Sequence, residues 1–215
     1  TGREDSQSQV GLLVRRLDGA NVIQKAALLR LLGAIGGADA LAAVRKAVDS
    51  DNEEVRSTAI RALSTWKSAD AAEPLAELAR GASDPAEKTL FLRGYLTLAA
   101  RRDLPGEQRL AMCRQAAGMA ERDDEKRLLL SALGSLESAD AVELIVPYLA
   151  DAGVRQEAAL AIVTTSEKLL RGRGESPQAP RLIAPLEKVT QAGANEDVTG
   201  RAKTLLRQAR NKAGQ

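Results

Sequence analysis

The sequence predicts an all-α chain, an α-solenoid or superhelix of about six antiparallel helix pairs. Three observations carry this expectation: one tripeptide recurs at near-constant intervals, helix-capping pairs fall between its copies, and each segment has one apolar stripe at helical spacing. Alternating β-branched runs are missing, so strands have little support.

Ala-Asp-Ala begins at Ala38, Ala69 and Ala139. Asp39 and Asp70 lie 31 residues apart, and Asp140 follows 70 further on, the room of two units of 35 with one divergent repeat between. Between these markers stand Asn21 with Gln24, Asp51 with Glu54, and Asp84 with Glu87. An acceptor followed three residues later by Glu or Gln can satisfy the backbone N–H groups that a first helical turn leaves orphaned. Pro85 fits the first helical position, where its missing N–H is no loss. Asp123 and Asp151 continue the series as caps without the reciprocal Glu.

Each unit therefore reads as helix A, turn, capped helix B, turn. In one B helix Val55, Ala59, Ala62, Leu63 and Trp66 form the stripe, and Val198, Ala202, Leu205, Leu206 and Ala209 repeat it near the C-terminus. The A helices are shorter, with Leu41, Val44 and Val48 in one and Val142, Ile145, Val146 and Leu149 in another. A lone pair cannot bury both its stripes, whereas stacked pairs can. The pairs are placed at 7–36, 38–67, 69–100, 105–137, 139–170 and 178–212, within one repeat domain over 1–215. Two connections are longer: residues 101–106, and Arg171 to Gln178, the better candidate for a mobile loop or a weak break in the stack.

Composition narrows the chemistry. Hydrophobic residues make up 44% and aromatics 2%, so the core is built from Ala, Leu, Val and Ile. Lys and Arg total 31 against 29 Asp and Glu, a net charge of +2, milder than a nucleic-acid domain usually carries. The absence of histidine closes the Ser-His and Cys-His routes to catalysis and the ordinary zinc site. Cys113, the one cysteine, sits among Leu110, Ala111 and Ala117 and reads as a buried, inert thiol. No apolar run is long enough to span a membrane. The chain opens on Thr1 and a polar run rather than an initiator methionine, so the expectation is a fragment of a larger or processed protein.

The segments Ala38 to Val44 and Asp51 to Leu63 resemble bacterial HEAT repeats of the short, phycobilin-lyase-like type, in which a Val-Arg pair (here Val55-Arg56) opens helix B and Ala and Ala-Leu follow along it. Pro74, early in a helix A, is a further likeness. The likeness is good over 38–100, fair over 7–37 and 120–165, and poor after 171. It implies a scaffold or adaptor with the B helices on the concave surface.

Two basic series follow from the register. Lys25, Arg56, Lys88, Arg127 and Arg155 come four or five residues after their caps and read as bridges to neighbouring repeats. Arg30, Arg61 and Arg93 come nine or ten after, and with Ser57, Ser64 and Ser68 mark a polar face opposite the Val55–Trp66 stripe. The resemblance implies that these arginines face the concave surface, with Tyr95 near Arg93. The candidate partner-binding residues are thus Arg30, Arg61, Arg93, Ser57, Ser64 and Tyr95, and the partner an acidic protein segment. No catalytic residue, metal ligand or cofactor is expected, and the chain is expected to be a monomer.

The alternative is a nucleic-acid backbone binder using the same arginines and the basic C-terminal helix (Arg201, Lys203, Arg207, Arg210, Lys212). Four aromatics, Trp66, Phe91, Tyr95 and Tyr148, are too few for base-stacking platforms. A third possibility, bilin attachment, comes from the resemblance alone. The adjacent carboxylates Glu53/Glu54 and Asp123/Asp124 point to different sides of a helix and do not converge on a substrate.

Overall fold

The computed structural model describes residues 2–171 and 176–214, with side chains from residue 9 onward. Among the described residues every regular element is helical. The chain forms two compact units, Thr1–Leu98 and Ala99–Gln215. Unit 1 holds α1 (Gly2–Leu17), α2 (Val22–Ile35), α3 (Ala38–Ala47), α4 (Glu53–Ser64), α5 (Ala72–Gly81, entered through a 3₁₀ turn at Ala69–Ala71) and nearly all of α6 (Pro85–Ala99). Unit 2 holds α7 (Gly106–Ala117), α8 (Asp123–Gly134), α9 (Ala139–Ile145), α10 (Arg155–Leu169), α11 (Ala179–Gln191) and α12 (Glu196–Lys212). Helix α9 tightens into a 3₁₀ turn at Val146–Ala150, because Pro147 has no N–H to continue the ladder. The single A helix expected through Leu149 is therefore two pieces.

The caps hold the register, with corrections. Asn21 and Gln24 form the reciprocal box, Gln24 N donating to Asn21 Oδ1 at 3.0 Å and Asn21 N to Gln24 Oε1 at 3.1 Å. Asn52, not Asp51, caps α4, taking the Val55 N–H at 3.1 Å. Asp84 takes the N–H groups of Ala86 (2.6 Å) and Glu87 (3.3 Å). At α8 the sequence-expected cap Asp123 is already inside the helix, and the fully buried Glu125 accepts from Glu121 N (2.9 Å) and Arg122 N (3.2 Å). Asp151 caps no helix: it takes the Gly153 N–H at 3.0 Å, closing the turn before α10.

Within each unit A helices stack on A helices and B helices on B helices. In unit 1 α1 lies on α3 and α2 on α4; in unit 2 α7, α9 and α11 form one layer and α8, α10 and α12 the other. Each is a stack of the α-solenoid kind. The expected break at Arg171 to Gln178 does not separate the last pair, since α11 packs on α9 and α12 on α10; residues 172–175 lie outside the described residues. Val55, Ala59, Leu63 and Trp66 are buried as the stripe requires, and so are Val198, Ala202, Leu205 and Ala209.

A common crossing sets the B-on-B seam. In unit 1 the residue ten past the cap of one B helix meets the residue twelve past the cap of the B helix before it; in α10 Ala161, seven past the cap Val154, takes that place against Gly134. A Cβ on Gly33 would lie 3.0 Å from Ala62 Cβ, one on Gly94 2.8 Å from Ser64 O, and one on Gly134 3.4 Å from Ala161 Cβ. Small residues at these crossings let the axes approach closely. The seam is also closed by polar side chains. Thr165 (3.4 Å) and Lys168 (3.0 Å) donate to the Gly134 carbonyl at the end of α8, and Gln208 donates to Leu170 O at 2.9 Å. These carbonyls have no partner inside their own helix.

A methyl at position 94 would run into Ser64 backbone, which cannot swing away. Gly94→Ala is expected to cost about 1–3 kcal/mol despite the better helix propensity of alanine. Gly200→Ala in α12, where nothing lies within 4 Å of the added carbon, is expected to raise stability by about 0.5–1 kcal/mol. Urea unfolding of the two variants, fitted with a common m-value, checks both signs.

Candidate interaction surface

With the caps corrected, Arg30, Arg61 and Arg93 each stand nine residues past Asn21, Asn52 and Asp84, on α2, α4 and α6. All three are exposed, and none makes an ion pair among the described residues. The Gly33–Ala62 and Ser64–Gly94 crossings lock the three helices in this register, so the arginines occupy equivalent places in successive rows. The equivalent residues in unit 2 are Ser131, Leu160 and Thr204, so the stripe belongs to unit 1.

The other candidates divide. Ser57 and Ser64 are half-buried, and their hydroxyls donate to their own helix, to Glu54 O (3.3 Å) and Arg61 O (3.1 Å). Thr65 and Thr97 do the same, donating to Arg61 O (3.0 Å) and Arg93 O (2.8 Å). These hydroxyls line the face without carrying charge. Ser68 lies beyond the end of α4 and accepts the Trp66 indole N–H at 3.1 Å, which Asp70 also accepts at 3.1 Å. Tyr95 is a correction: it is 2% exposed, part of the core of α6, and offers nothing to a groove. Position 95 falls beside Leu92, Leu96 and Leu98 on the apolar side, a stripe that outweighs the tyrosine's polar tip.

The bridging series behaves as a scaffold. Arg56 pairs with Glu87 at 2.6 Å, and Arg127 with Glu157 at 2.8 Å, each reaching the next B helix. Arg127 also donates to Gly153 O at 2.6 Å. Arg155 turns back to Leu149 O (3.0 Å) in its own connection, and Lys25 makes no ion pair among the described residues. Rungs on the A side went unnoticed in the sequence: Arg45 with Glu77, and Arg181 with Asp140 (2.5 Å) and Glu143 (2.8 Å). Their spacing varies from one rung to the next, so no single period flags them. In the C-terminal helix Arg201 is held by Glu167 (2.9 Å) and Arg210 by Glu187 (2.7 Å).

These pairs tune the carboxyls. The Arg181 hydrogen bond holds Asp140 below its ordinary 3.8, and the Lys126 hydrogen bond (2.6 Å) does the same for Asp151, helped by the Gly153 N–H. Cys113 is fully buried, and desolvation pushes its thiol up to about 11, so it is a poor nucleophile at neutral pH. No group of three or more potential metal ligands occurs among the described residues, and no described helix is long and apolar enough to cross a membrane.

The family described as HEAT repeats matches residues 11–92. The matched residues all lie within unit 1. The HEAT match runs from within α1 into α6 and so contains Arg30 and Arg61 and ends one residue before Arg93. A solved structure from "Computational Design of Self-Assembling Cyclic Protein Homooligomers" aligns over 98% of this chain and 91% of its own at 16% identity, with a TM-score of 0.26, which carries no argument. No curated protein matches the chain.

Because the folded carboxyls titrate below their unfolded values, their contribution is complete above the unfolded value and is lost as the pH falls through the lowered one. Arg181→Gln is expected to return Asp140 towards 3.8 while leaving Asp151 low, read from side-chain carboxyl carbon shifts across an acid titration. Cys113 is expected to resist alkylation in the native protein and to react fully in guanidinium, followed by intact mass.

Proposed function

We propose that the chain is an interaction scaffold that binds an acidic protein segment along the B-helix face of unit 1. One observation carries this reading: Arg30, Arg61 and Arg93 are exposed, in register and unpaired among the described residues, while Arg56, one turn before Arg61 on the same helix, is tied to Glu87. Packed helix axes lie about 8–10 Å apart, and a ligand in the extended polyproline II conformation rises about 3.1 Å per residue with three residues per turn, so that every third side chain shares one face. An extended ligand with an acidic side chain at every third residue therefore matches the row spacing. The face supplies charge and orientation, and the chain acts without catalysis or cofactor and as a monomer. The finer kinship with short bacterial repeats rests on Val55-Arg56 and its neighbours.

The nucleic-acid reading is weaker, because Arg201 and Arg210 of the C-terminal helix already have carboxylate partners.

The test uses a labelled peptide with Glu at every third position and a DNA duplex of equal charge. The peptide is expected to bind the native chain, and R30E/R61E/R93E is expected to weaken it by about tenfold or more. Capture from a lysate with both forms as bait should lose the same partner. Unchanged peptide binding and equal capture by the variant would sink the proposal. Tighter binding of DNA than of the peptide, with steep salt dependence, would transfer the arginines to phosphate recognition.

A further inference from the structure

The outer side of the first helix pair departs from the rest of unit 1. Between α1 and α2 lies an open groove of about 500 Å³, lined by Arg15, Arg16, Gly19, Gln24, Ala27 and Leu28. Leu31 (51% exposed) and Ile35 (43%) continue the same face of α2, and Leu12 (56%) the same face of α1. These are large apolar side chains of the kind that the later B helices bury, as Leu205 is buried in α12.

The stack itself says what such a groove holds. The B helix α2 packs against both α3 and α4; α8 packs against both α9 and α10; α10 packs against both α11 and α12. Each of these three grooves is thus the seat of a preceding B helix. Leu31 stands ten residues past its cap Asn21, the position at which Ala62 and Gly94 meet a preceding B helix. Leu205 holds that position in α12, where it is buried. Leu31 is therefore a seam residue without its seam.

Charge specifies the occupant further. A helix seated by this rule runs parallel to α2, so its N-terminus falls beside Arg15 and Arg16 in the last turn of α1. The chain's own B helices open with acidic turns: Glu53 and Glu54 in α4, Asp123 to Glu125 in α8, Glu196 and Asp197 in α12. Such a first turn complements both arginines and its own helix dipole. The far end of a second copy does not fit, because Arg207, exposed and twelve residues past Asn195 in α12, would bring a long charged side chain to the crossing over Leu31, where the chain's own seams have Gly33, Ser64 and Gly134.

We propose that the α1–α2 groove is a docking seat for one amphipathic helix of a partner protein, entering with an acidic first turn beside Arg15 and Arg16 and an apolar side against Leu28, Leu31 and Ile35. This is helix-in-groove recognition in which the groove is an unfilled repeat interface. It is separate from the arginine stripe.

The probe is a fluorescein-labelled peptide with the sequence of residues 51–66, stapled across positions 57 and 61 on its polar side so that it is helical when free. It carries Glu53 and Glu54 in its first turn and Ser64 at the crossing position. Anisotropy with the full chain is expected to show saturable binding. L31E and R15E/R16E are each expected to weaken it by about tenfold or more, with unchanged thermal unfolding because the altered side chains are exposed. A peptide with Glu53 and Glu54 changed to Lys should regain affinity for R15E/R16E, and R30E/R61E/R93E should bind the original peptide normally. No binding, or binding indifferent to L31E and R15E/R16E, overturns the proposal. Sedimentation showing a native dimer that L31E dissolves would give the groove to a second copy and equally overturn the partner-helix assignment.

Discussion

The close approach of one B helix to the next, through residues with little or no side chain, governs the rest. Gly94 leaves no room above the Ser64 backbone, Gly33 lies tight under Ala62, and Gly134 meets Ala161 at ordinary contact distance. Because these helices come so near, stripes made of Ala, Leu and Val are wide enough to merge into continuous cores with few aromatics to fill gaps. The same contacts fix the vertical register of the rows. Without that register Arg30, Arg61 and Arg93 would be three unrelated surface cations, and Leu31 merely an exposed leucine.

Charge serves two distinct ends on this framework. Arg56 and Arg127 reach the next B helix and Arg201 the one before, and each holds a carboxylate there, so their charge is consumed internally. At partly exposed sites each such pair contributes little, and the set acts more to keep rows aligned than to hold the fold together. One turn further along the same helices, the side chains point away from the next row and find no carboxylate. The difference between a structural arginine and an available one is thus a matter of helical phase: Arg56, Arg127 and Arg201, four to six residues past their caps, reach across to a neighbouring B helix, whereas Arg30, Arg61 and Arg93, nine past theirs, are exposed.

Most of the fold was legible because it rests on local signals. Capping residues, the Pro85 start and the single apolar stripe are all written within a dozen residues of each other, and stacking follows from the stripes. What escaped depended on competition between neighbours. Asp51 and Asn52 are both competent caps, and the amide won. Asp151 and Asp123 looked alike as caps, yet one closes a turn and the other lies inside a helix against Gly153. Tyr95 was misplaced because a tyrosine near an arginine suggests a binding face, while its phase in α6 puts it among leucines. The arginine stripe was visible as a spacing. Its lack of internal partners was not, since that depends on which carboxylates the stack brings near.

Trp66, at the end of the α4 stripe, is the one tryptophan of the chain, buried in unit 1 with its indole N–H held by Ser68 and Asp70. Unit 2 has only the half-buried Tyr148 as an aromatic. Excited where tyrosine is dark, the intrinsic emission of the protein is therefore a private signal from the first unit. Circular dichroism sees all twelve α-helices of the described residues at once. Following both through the same denaturation separates the two halves optically: coincident curves mean that the units melt together, and displaced curves order their stabilities without any label or truncation.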